Sequence, residues 1–263
     1  MVRVGVFGAG GRMGSTVCRA VAEDPDLELV AAVDPYHAGI DLAQLGLPGT
    51  GVQVSANADA LAHAGAEVAV DFTVVEAARD NMRWCAENGV HVVVGTTGFS
   101  REDLADLEAR FHESTANAVV APNFAIGAVL MMRFAEIAAP YFETGEIIEL
   151  HHDAKADAPS GTAVLTAQRM AAAGKEWGPD PTTKVVVPGA RGALVAGSIP
   201  VHSVRLRGLV AHQEVILGTT GQSLTIRHDS YDRASFMPGV LLAIRAVRDR
   251  AGLTVGLDTL LGL

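Results

Sequence analysis

The sequence predicts an α/β protein: a Rossmann-type doubly wound parallel sheet domain plus a second α+β domain with a mixed or antiparallel sheet. Over the first 122 residues, short apolar runs alternate with helical patterns, which is the order of elements in a parallel sheet covered on both faces by helices. After residue 122, three further apolar runs follow one another without long helices between them. Closely spaced strands of this kind favour hairpin-type pairing.

The elements of the first domain follow one another regularly. Glycine closes one helical pattern at position 89, where a helix commonly ends on a left-handed residue. Ser100 and Asp103 have the spacing of a capping box, so a helix is predicted to begin there. Apolar runs predict strands at 2–7, 27–33, 68–72 and 90–94, and helical patterns cover 12–22 and 76–88.

The second half of the chain contains more sheet than helix. A helix is predicted at 127–139, where Pro140 stops it, and residues 174–200 are rich in glycine and proline and predict a surface loop. An amphipathic helix near 240–247 is assigned back to the first domain. The predicted strands are 146–152, 201–206, 213–217 and 223–228. We therefore divide the chain into one domain of residues 1–122 and 232–263 and another of residues 123–231.

Charge and composition narrow the class of protein. Twenty basic and 30 acidic residues give a net charge of −10, which argues against nucleic-acid binding because that affinity depends on neutralising phosphates. The two cysteines form no C-x-x-C pair, which indicates a reducing compartment. The first residues lack a signal-peptide pattern, and the apolar stretch 118–132 is interrupted and too short to span a membrane. We expect a cytoplasmic protein with no membrane or nucleic-acid partner.

A glycine cluster directly after the first strand predicts a dinucleotide site. Its spacing is G-x-x-G-x-x-G, with Met13 where the strict G-x-G-x-x-G fingerprint has its last glycine. Such loops bring backbone N–H groups to a pyrophosphate at a helix N-terminus, and Asp34 ends the second strand, where an acid accepts hydrogen bonds from ribose hydroxyls. The alternative is a purely structural turn. The predicted cofactor contacts are Gly8, Ala9, Gly10, Gly11, Arg12, Met13 and Asp34.

Two later loops extend this prediction. Residues 95–98 and 121–124 each follow an apolar strand, so both should lie at the carboxyl edge of the sheet, where open α/β folds bind ligands. Their alternative is ordinary turns. Asp34 should repel a 2′-phosphate and Pro35 supplies no cation, although Arg12 could reach a phosphate, so we expect NADH or NADPH with NADH favoured. The added contacts are Gly95, Thr96, Thr97, Ala121, Pro122, Asn123 and Phe124.

Residues 149–163 contain the most reactive side chains. His151, His152 and Lys155 fall within five positions, and neighbouring strand residues point to opposite faces, so the two histidines should have different tasks. If the strand continues, His151 and Lys155 share a face. Ser160, Gly161 and Thr162 open a helix whose first N–H groups suit a carboxylate, which predicts a small dianionic substrate. Solvated surface histidines are the alternative; the spacing does not fit a metal site, and we predict none.

These motifs together resemble the 4-hydroxy-tetrahydrodipicolinate reductases, also called dihydrodipicolinate reductases, of bacterial lysine and diaminopimelate biosynthesis. The resemblance is carried by the loops at 8–14, 95–98 and 121–124 and above all by the run E-L-H-H-x-x-K-x-D-A-P-S-G-T-A from Glu149. It implies NAD(P)H-dependent reduction of a cyclic unsaturated imine dicarboxylate to tetrahydrodipicolinate. Pro35 stands where some members have arginine, which argues against strong NADPH use.

The resemblance also implies residue roles and an assembly. His151 and Lys155 would be the acid–base pair, His152 would contact the substrate, and Gly161 and Thr162 would hold a carboxylate. The first domain would bind the dinucleotide, while the second would bind substrate and assemble a homotetramer through its sheet. Two other functions remain open from the residues: an amino-acid dehydrogenase of the aspartate or homoserine type, and a noncatalytic NAD(H)-sensing regulator, which would need the glycine loop but not the basic segment.

Overall fold

The computed structural model describes residues 1–174 and 176–263; Lys175, in the loop predicted for 174–200, lies outside the described residues. The chain divides into two compact units. Unit 1 contains Met1–Phe124 and Phe236–Leu263, and unit 2 contains Ala125–Ser235. Within the described residues, no helix combines the length and the apolar character needed to cross a membrane.

Unit 1 is built on a seven-stranded parallel sheet, so the predicted fold class is confirmed. The first pass of the chain gives β1 (Val2–Phe7), α1 (Arg12–Glu23), β2 (Leu27–Val33), β3 (Val54–Ser55), α2 (Asp59–His63), β4 (Val68–Asp71), α3 (Val75–Asn88), β5 (His91–Val94), α4 (Arg101–Glu113) and β6 (Ala118–Val120). The return from unit 2 adds α7 (Met237–Ala246), β12 (Leu253–Val255) and α8 (Asp258–Leu261). The strand order is β12-β6-β5-β4-β1-β2-β3.

The carboxyl ends of the central strands are level. Phe7, the last residue of β1, pairs with Val33 on one side and with Asp71 on the other, and Asp71 pairs with Val94. The chain leaves β1 for β2 and β3 on one side and then crosses to β4, β5 and β6 on the other. The loop after β1 therefore lies at the switch point of the sheet, the place where open α/β folds bind ligands.

Helix ends in unit 1 follow the local sequence signals. Ser100 Oγ accepts from the N–H of Asp103 at 3.0 Å, and Asp103 Oδ2 accepts from the N–H of Ser100 at 2.9 Å, which completes the predicted capping box. Gly89 ends α3 with φ = +70°, in the left-handed region. Leu107 and Phe111 of α4 are buried in the core, so the capped helix is anchored by its apolar face.

Within the described residues, unit 2 contains a five-stranded mixed sheet and two α-helices. Its elements are α5 (Ile126–Ala138), β7 (Thr144–His151), α6 (Gly161–Ala173), β8 (Ala193–Val195), β9 (Ile199–Arg205), β10 (Ala211–Thr219) and β11 (Gln222–Ser230). The strand order is β11-β10-β7-β9-β8, with β7 and β9 parallel and the other pairs antiparallel. The mixed sheet is as predicted. Of the three closely spaced strands expected to pair as hairpins, only β10 and β11 do so, because β7 lies between β9 and β10. The predicted loop 174–200 also contains β8.

Side chains of β7 alternate between two environments. Gly145, Ile147 and Glu149 are buried on the face that α6 covers, where Met170 lies against Gly145. Glu146, Ile148 and Leu150 are only partly buried, on the opposite face. The period of two therefore places Glu149 and His151 on the same side of the strand.

Candidate active site

The glycine loop uses most of its own N–H groups to hold its shape. Gly8, with φ = +68°, donates to the carbonyl of Val33 at 2.7 Å, and Gly11 donates to the carbonyl of Gly8 at 2.9 Å. Ala9 donates to the same Val33 carbonyl at 3.3 Å. The N–H groups suited to a pyrophosphate are therefore those of the first turn of α1, beginning at Arg12 and Met13, where a helix has no internal acceptors.

Close packing around the loop leaves no room for side chains at two glycines. A Cβ atom at Gly14 would overlap the carbonyl of Gly8, so the third glycine lets α1 pack directly on the loop. A Cβ atom at Gly10 would overlap the imidazole of His37. The backbone that would face a pyrophosphate is thus bare, which fits a dinucleotide.

Asp34 fastens the loop to the turn that follows β2. Its side chain is buried; Oδ2 accepts from the N–H of Gly10 at 3.0 Å and Oδ1 from the N–H of Tyr36 at 3.0 Å. His37 Nδ1 is buried 3.2 Å from Asp34 Oδ1 but is not aligned for a hydrogen bond. The predicted ribose ligand therefore also holds the loop in place, and His37 is a neighbour that the sequence did not single out.

The two later loops emerge at the same carboxyl edge, as expected for loops that follow parallel strands. Thr96 is buried and its hydroxyl donates to the carbonyl of Thr73 at 2.9 Å, while Gly95 donates to the carbonyl of Asp71 at 2.9 Å. Thr97 is exposed. Ala121 donates to the carbonyl of Val94 at 3.0 Å.

The loop at 121–124 has one side in the core and the other at the surface. Ala121 is buried, Pro122 is exposed and Asn123 is partly buried. Phe124 is buried against Phe72 with ring centroids 5.7 Å apart. The packed phenylalanine fixes the end of the loop, while Pro122 is open to solvent.

A buried carboxylate that the sequence did not indicate connects the loops after β4 and β5. Asp71 accepts from the N–H and the hydroxyl of Thr73, both at 2.7 Å, and from the amide of Asn81 at 2.7 Å. Burial raises the pKa of Asp71, and these hydrogen bonds oppose that shift. Asp71 thus supports the loop that carries Thr96.

In unit 2 the basic segment leaves the strand immediately after His151. His152 is exposed, and the N–H of Lys155 donates to the carbonyl of His152 at 3.2 Å, which forms a turn. The strand therefore does not continue beyond His151, and the condition under which His151 and Lys155 would share a strand face is not met. Burial is the largest cause that lowers the pKa of His151, and the turn brings the Lys155 charge close enough to lower it further. Lys155 Nζ donates to Asp157 Oδ1 at 2.7 Å.

Glu149, which the sequence reasoning did not single out, joins the parts of this segment. It is fully buried, and its Oε2 lies 2.5 Å from His151 Nδ1. Its Oε1 accepts from the N–H of Ser160 at 3.2 Å, and Arg205 of β9 donates to both oxygens, at 2.8 and 2.9 Å. Glu149 shares the strand face of His151, a signal available in the sequence, whereas no local pattern indicates Arg205.

The N-terminus of α6 is capped as the sequence suggests. Ser160 Oγ accepts from the N–H of Ala163 at 3.2 Å, and Ser160 is buried. Since both its hydroxyl and its N–H have partners inside the protein, Ser160 shapes the helix end, while Gly161 is exposed and Thr162 is partly buried beside it. Residues 1–174 and 176–263 contain no group of three or more His, Cys, Asp or Glu side chains that could hold a metal ion.

Unit 1 has a doubly wound sheet with a glycine loop at its switch point. Unit 2 has basic side chains near a capped helix N-terminus. These features are those of a Rossmann-type, nicotinamide-dependent oxidoreductase. Comparison with known proteins identifies the family. The family models for the Dihydrodipicolinate reductase N-terminus and C-terminus match residues 2–124 and 127–261. The chain belongs to the dihydrodipicolinate reductase family.

Individual relatives agree along the whole chain. The 4-hydroxy-tetrahydrodipicolinate reductases of Cutibacterium acnes and Mycobacterium marinum are 52% and 51% identical to this chain, with 100% of each chain covered. A dipicolinate-bound dihydrodipicolinate reductase from Paenisporosarcina sp. TG-14 superposes with a TM-score of 0.87 at 42% identity, covering 98% of this chain and 99% of that one. An amine dehydrogenase from Mycobacterium smegmatis, at 17% identity and a TM-score of 0.69, shares the fold. The matches favour a reductase over the two other functions left open above.

Proposed function

We propose that this protein reduces 4-hydroxy-tetrahydrodipicolinate (dihydrodipicolinate) to tetrahydrodipicolinate with NADH or NADPH, in lysine and diaminopimelate biosynthesis. The observation that carries the proposal is the arrangement around Glu149 in a chain of this family. This one carboxylate contacts both His151 and the backbone N–H of Ser160, so a proton-carrying group and a helix N-terminus lie around the same side chain.

The charges in unit 2 suit a small dicarboxylate. We assign one substrate carboxylate to the N–H groups of Gly161 and Thr162 at the start of α6, where the helix dipole favours an anion. His152 is exposed and would contact the substrate, and Ser160 contributes by capping the helix. Lys155 supplies the positive charge.

The proton transfer can be assigned to named groups. When bound, a reduced nicotinamide would supply a hydride to C4 of the conjugated imine. The electron pair then moves toward the neighbouring ring carbon and nitrogen, and the resulting enamine takes up a proton. We assign that proton to the ammonium group of Lys155, which water reprotonates afterwards. Burial and the charges of Lys155 and Arg205 lower the pKa of His151, so its ring is neutral near pH 7 and can orient Lys155 through Nε2.

The cofactor is assigned to unit 1. The first-turn N–H groups at Arg12 and Met13 would bind the pyrophosphate, Asp34 would accept from the ribose hydroxyls, and the loops at 95–98 and 121–124 would complete the site. NADH is favoured because Asp34 repels a 2′-phosphate and Pro35 follows it directly. The test is kcat/KM for the two cofactors; comparable values would remove the preference.

The open face of the unit 2 sheet suits self-assembly. Ile148 and Leu150 of β7, Val204 of β9 and Ile216 of β10 are apolar and only partly buried on the face that α6 does not cover. We propose that four copies assemble through this face as a homotetramer, which sedimentation equilibrium would test. The cytoplasmic location stays a prediction.

The decisive experiment uses the unstable substrate as it forms. Pyruvate and aspartate semialdehyde are condensed immediately before the assay, and loss of NADH absorbance is followed with and without this protein. We expect NADH consumption that needs the complete mixture and is lost in a double variant carrying His151→Asn and Lys155→Met. No consumption with the mixture, or NAD⁺-dependent oxidation of aspartate or homoserine instead, would overturn the proposal.

A further inference from the structure

The buried carboxylate of Glu149 is surrounded by hydrogen-bond donors. A fully buried carboxylate is costly unless donors surround it. The donors to this one include the Arg205 Nη1–H at 2.9 Å, the Arg205 Nη2–H at 2.8 Å, the Ser160 N–H at 3.2 Å and His151 Nδ1 at 2.5 Å. Burial by itself would raise the pKa of Glu149, but hydrogen bonds from Arg205, Ser203 and His151 bring it below the ordinary value. Glu149 is therefore ionised.

An ionised Glu149 determines which ring nitrogen of His151 carries the proton. A carboxylate can only accept, so the proton between the two groups is on His151 Nδ1. In the neutral ring the other nitrogen, Nε2, then has a free lone pair. A ring with its proton on Nε2 would place two acceptors 2.5 Å apart, which repulsion disfavours. A ring flipped about the Cβ–Cγ bond would put Cδ2 in place of Nδ1 and lose the hydrogen bond to Glu149.

Arg205 ties this pair to the turn that carries Lys155. Strand β9 runs parallel to β7 and places Arg205 opposite His151, and Ser203 opposite Glu149. The same guanidinium donates to the backbone carbonyl of Asp157 at 2.6 Å, and the carboxylate of Asp157 accepts from Lys155. One side chain thus fixes Glu149 and the far end of the turn together.

We propose that Glu149 and Arg205 are positioning residues of the reduction, which hold His151 with its Nδ1–H on Glu149 and its Nε2 available to Lys155 and the bound substrate. The inference rests on the proposed function and deepens it. Neither residue needs to touch the substrate, since both act through His151 and through the turn at 152–157.

The first test is Glu149→Gln, which keeps the shape of the side chain and removes its charge. The amide can donate to Nδ1 and so permits the wrong tautomer. We expect kcat to fall roughly 10²-fold, a smaller loss than the ~10⁴-fold fall when the carboxylate behind a serine-protease histidine is neutralised. Binding of dipicolinate and of NADH, measured by titration, should change less than about threefold because neither ligand contacts Glu149.

The pH profile separates positioning from a general weakening of the fold. The charged groups acting on His151 are Glu149 on its own strand, Arg205 from β9 and Lys155 from the turn, while β10 places the uncharged Ala211 opposite it. Glu149 raises the pKa of His151, so its neutralisation should move the acid limb of kcat to lower pH. A structural defect alone would lower the amplitude of the profile and leave the limb in place.

A double-mutant cycle with His151→Asn supplies the sharpest readout. If Glu149 acts through His151, adding Glu149→Gln to His151→Asn should lower kcat no further, whereas independent effects would multiply. If Glu149→Gln fails to fold, Arg205→Lys replaces it in the same cycle. Lysine keeps the positive charge but cannot make the bidentate hydrogen bonds of Arg205 to Glu149.

The matched control is Glu146→Gln. Glu146 lies on the same strand and makes the same kind of contacts, with Arg191 and with His202, but on the opposite face. The kcat of the Glu146→Gln variant should stay within about threefold of the wild-type value.

The outcomes distinguish this inference from the proposed function. An inactive wild type refutes the function itself, and an active His151→Asn variant refutes the role of His151. If both hold, unchanged kcat in Glu149→Gln, an unmoved acid limb, or multiplicative effects in the cycle each refute the positioning role.

Discussion

Replacing Lys155 by methionine tests the proposed proton donor. Methionine keeps most of the length of the side chain but cannot give a proton. The loss of one general acid should lower kcat roughly 10²–10³-fold, which corresponds to about 3–4 kcal/mol of transition-state stabilisation. The ion pair that disappears with it joins a mostly buried Lys155 to an exposed Asp157 and is worth at most about 1 kcal/mol of folding free energy. The catalytic effect should therefore exceed the structural effect severalfold.

The assay measures kcat with the freshly condensed substrate and, separately, the NADH dissociation constant by fluorescence titration. Affinity for NADH should stay within about twofold of wild type, because Lys155 belongs to unit 2 and the glycine loop to unit 1. Lys184→Met is the control, since Lys184 is an exposed lysine of the same unit outside the basic segment. A kcat within threefold of wild type, or an equal fall in the Lys184 variant, would show that Lys155 is not the donor.

Three further outcomes are expected. Gly14→Ala places a methyl group against the carbonyl of Gly8, so NADH affinity measured by titration should fall at least about tenfold and the fold should lose about 1–3 kcal/mol; unchanged affinity would contradict the role of the loop. Ser100→Ala removes the cap of α4 and should lower the free energy of unfolding by about 1 kcal/mol in denaturant titration while kcat stays constant; an equally stable variant would show that the cap contributes nothing. Because the pKa of His151 is lowered in the folded chain, the unfolded chain binds a proton below pH ~6.5 that the folded chain does not. The free energy of unfolding should therefore fall as the pH falls, and it should fall less steeply in His151→Asn. Parallel curves of melting temperature against pH for the two proteins would contradict this.

The sequence is most informative about features that depend on interactions between residues close together in the chain. The glycine loop, Asp34 and the capping box at Ser100 depend on residues a few positions apart or at fixed distances along one βαβ unit, and the first two lie where ligands bind in such a sheet. Short strands gave too little pattern to detect. Strand β3 has two residues and strand β12 has three. An alternation of apolar and polar residues cannot be recognised over so short a run.

The parts of the site that the sequence could not supply depend on strand pairing. Arg205 reaches Glu149 only because β9 pairs with β7 in parallel, and nothing in the order of apolar runs distinguishes that pairing from a hairpin of β9 with β10. A strand that continued beyond His151 would put Lys155 on the same face as His151, but the backbone turns at His152, and the sequence carries no signal for that turn. Asp71 lacked a signal because its partners come from three different elements.

We expect this chain to transfer a hydride directly from a reduced nicotinamide to a ring dicarboxylate. This transfer is tested most directly with NADH that carries deuterium in the transferred position, by mass spectrometry and NMR of the product. We expect one deuterium at C4 of tetrahydrodipicolinate for each NADH oxidised. A product without that label, or oxidation of NADH that leaves the ring unreduced, would contradict it.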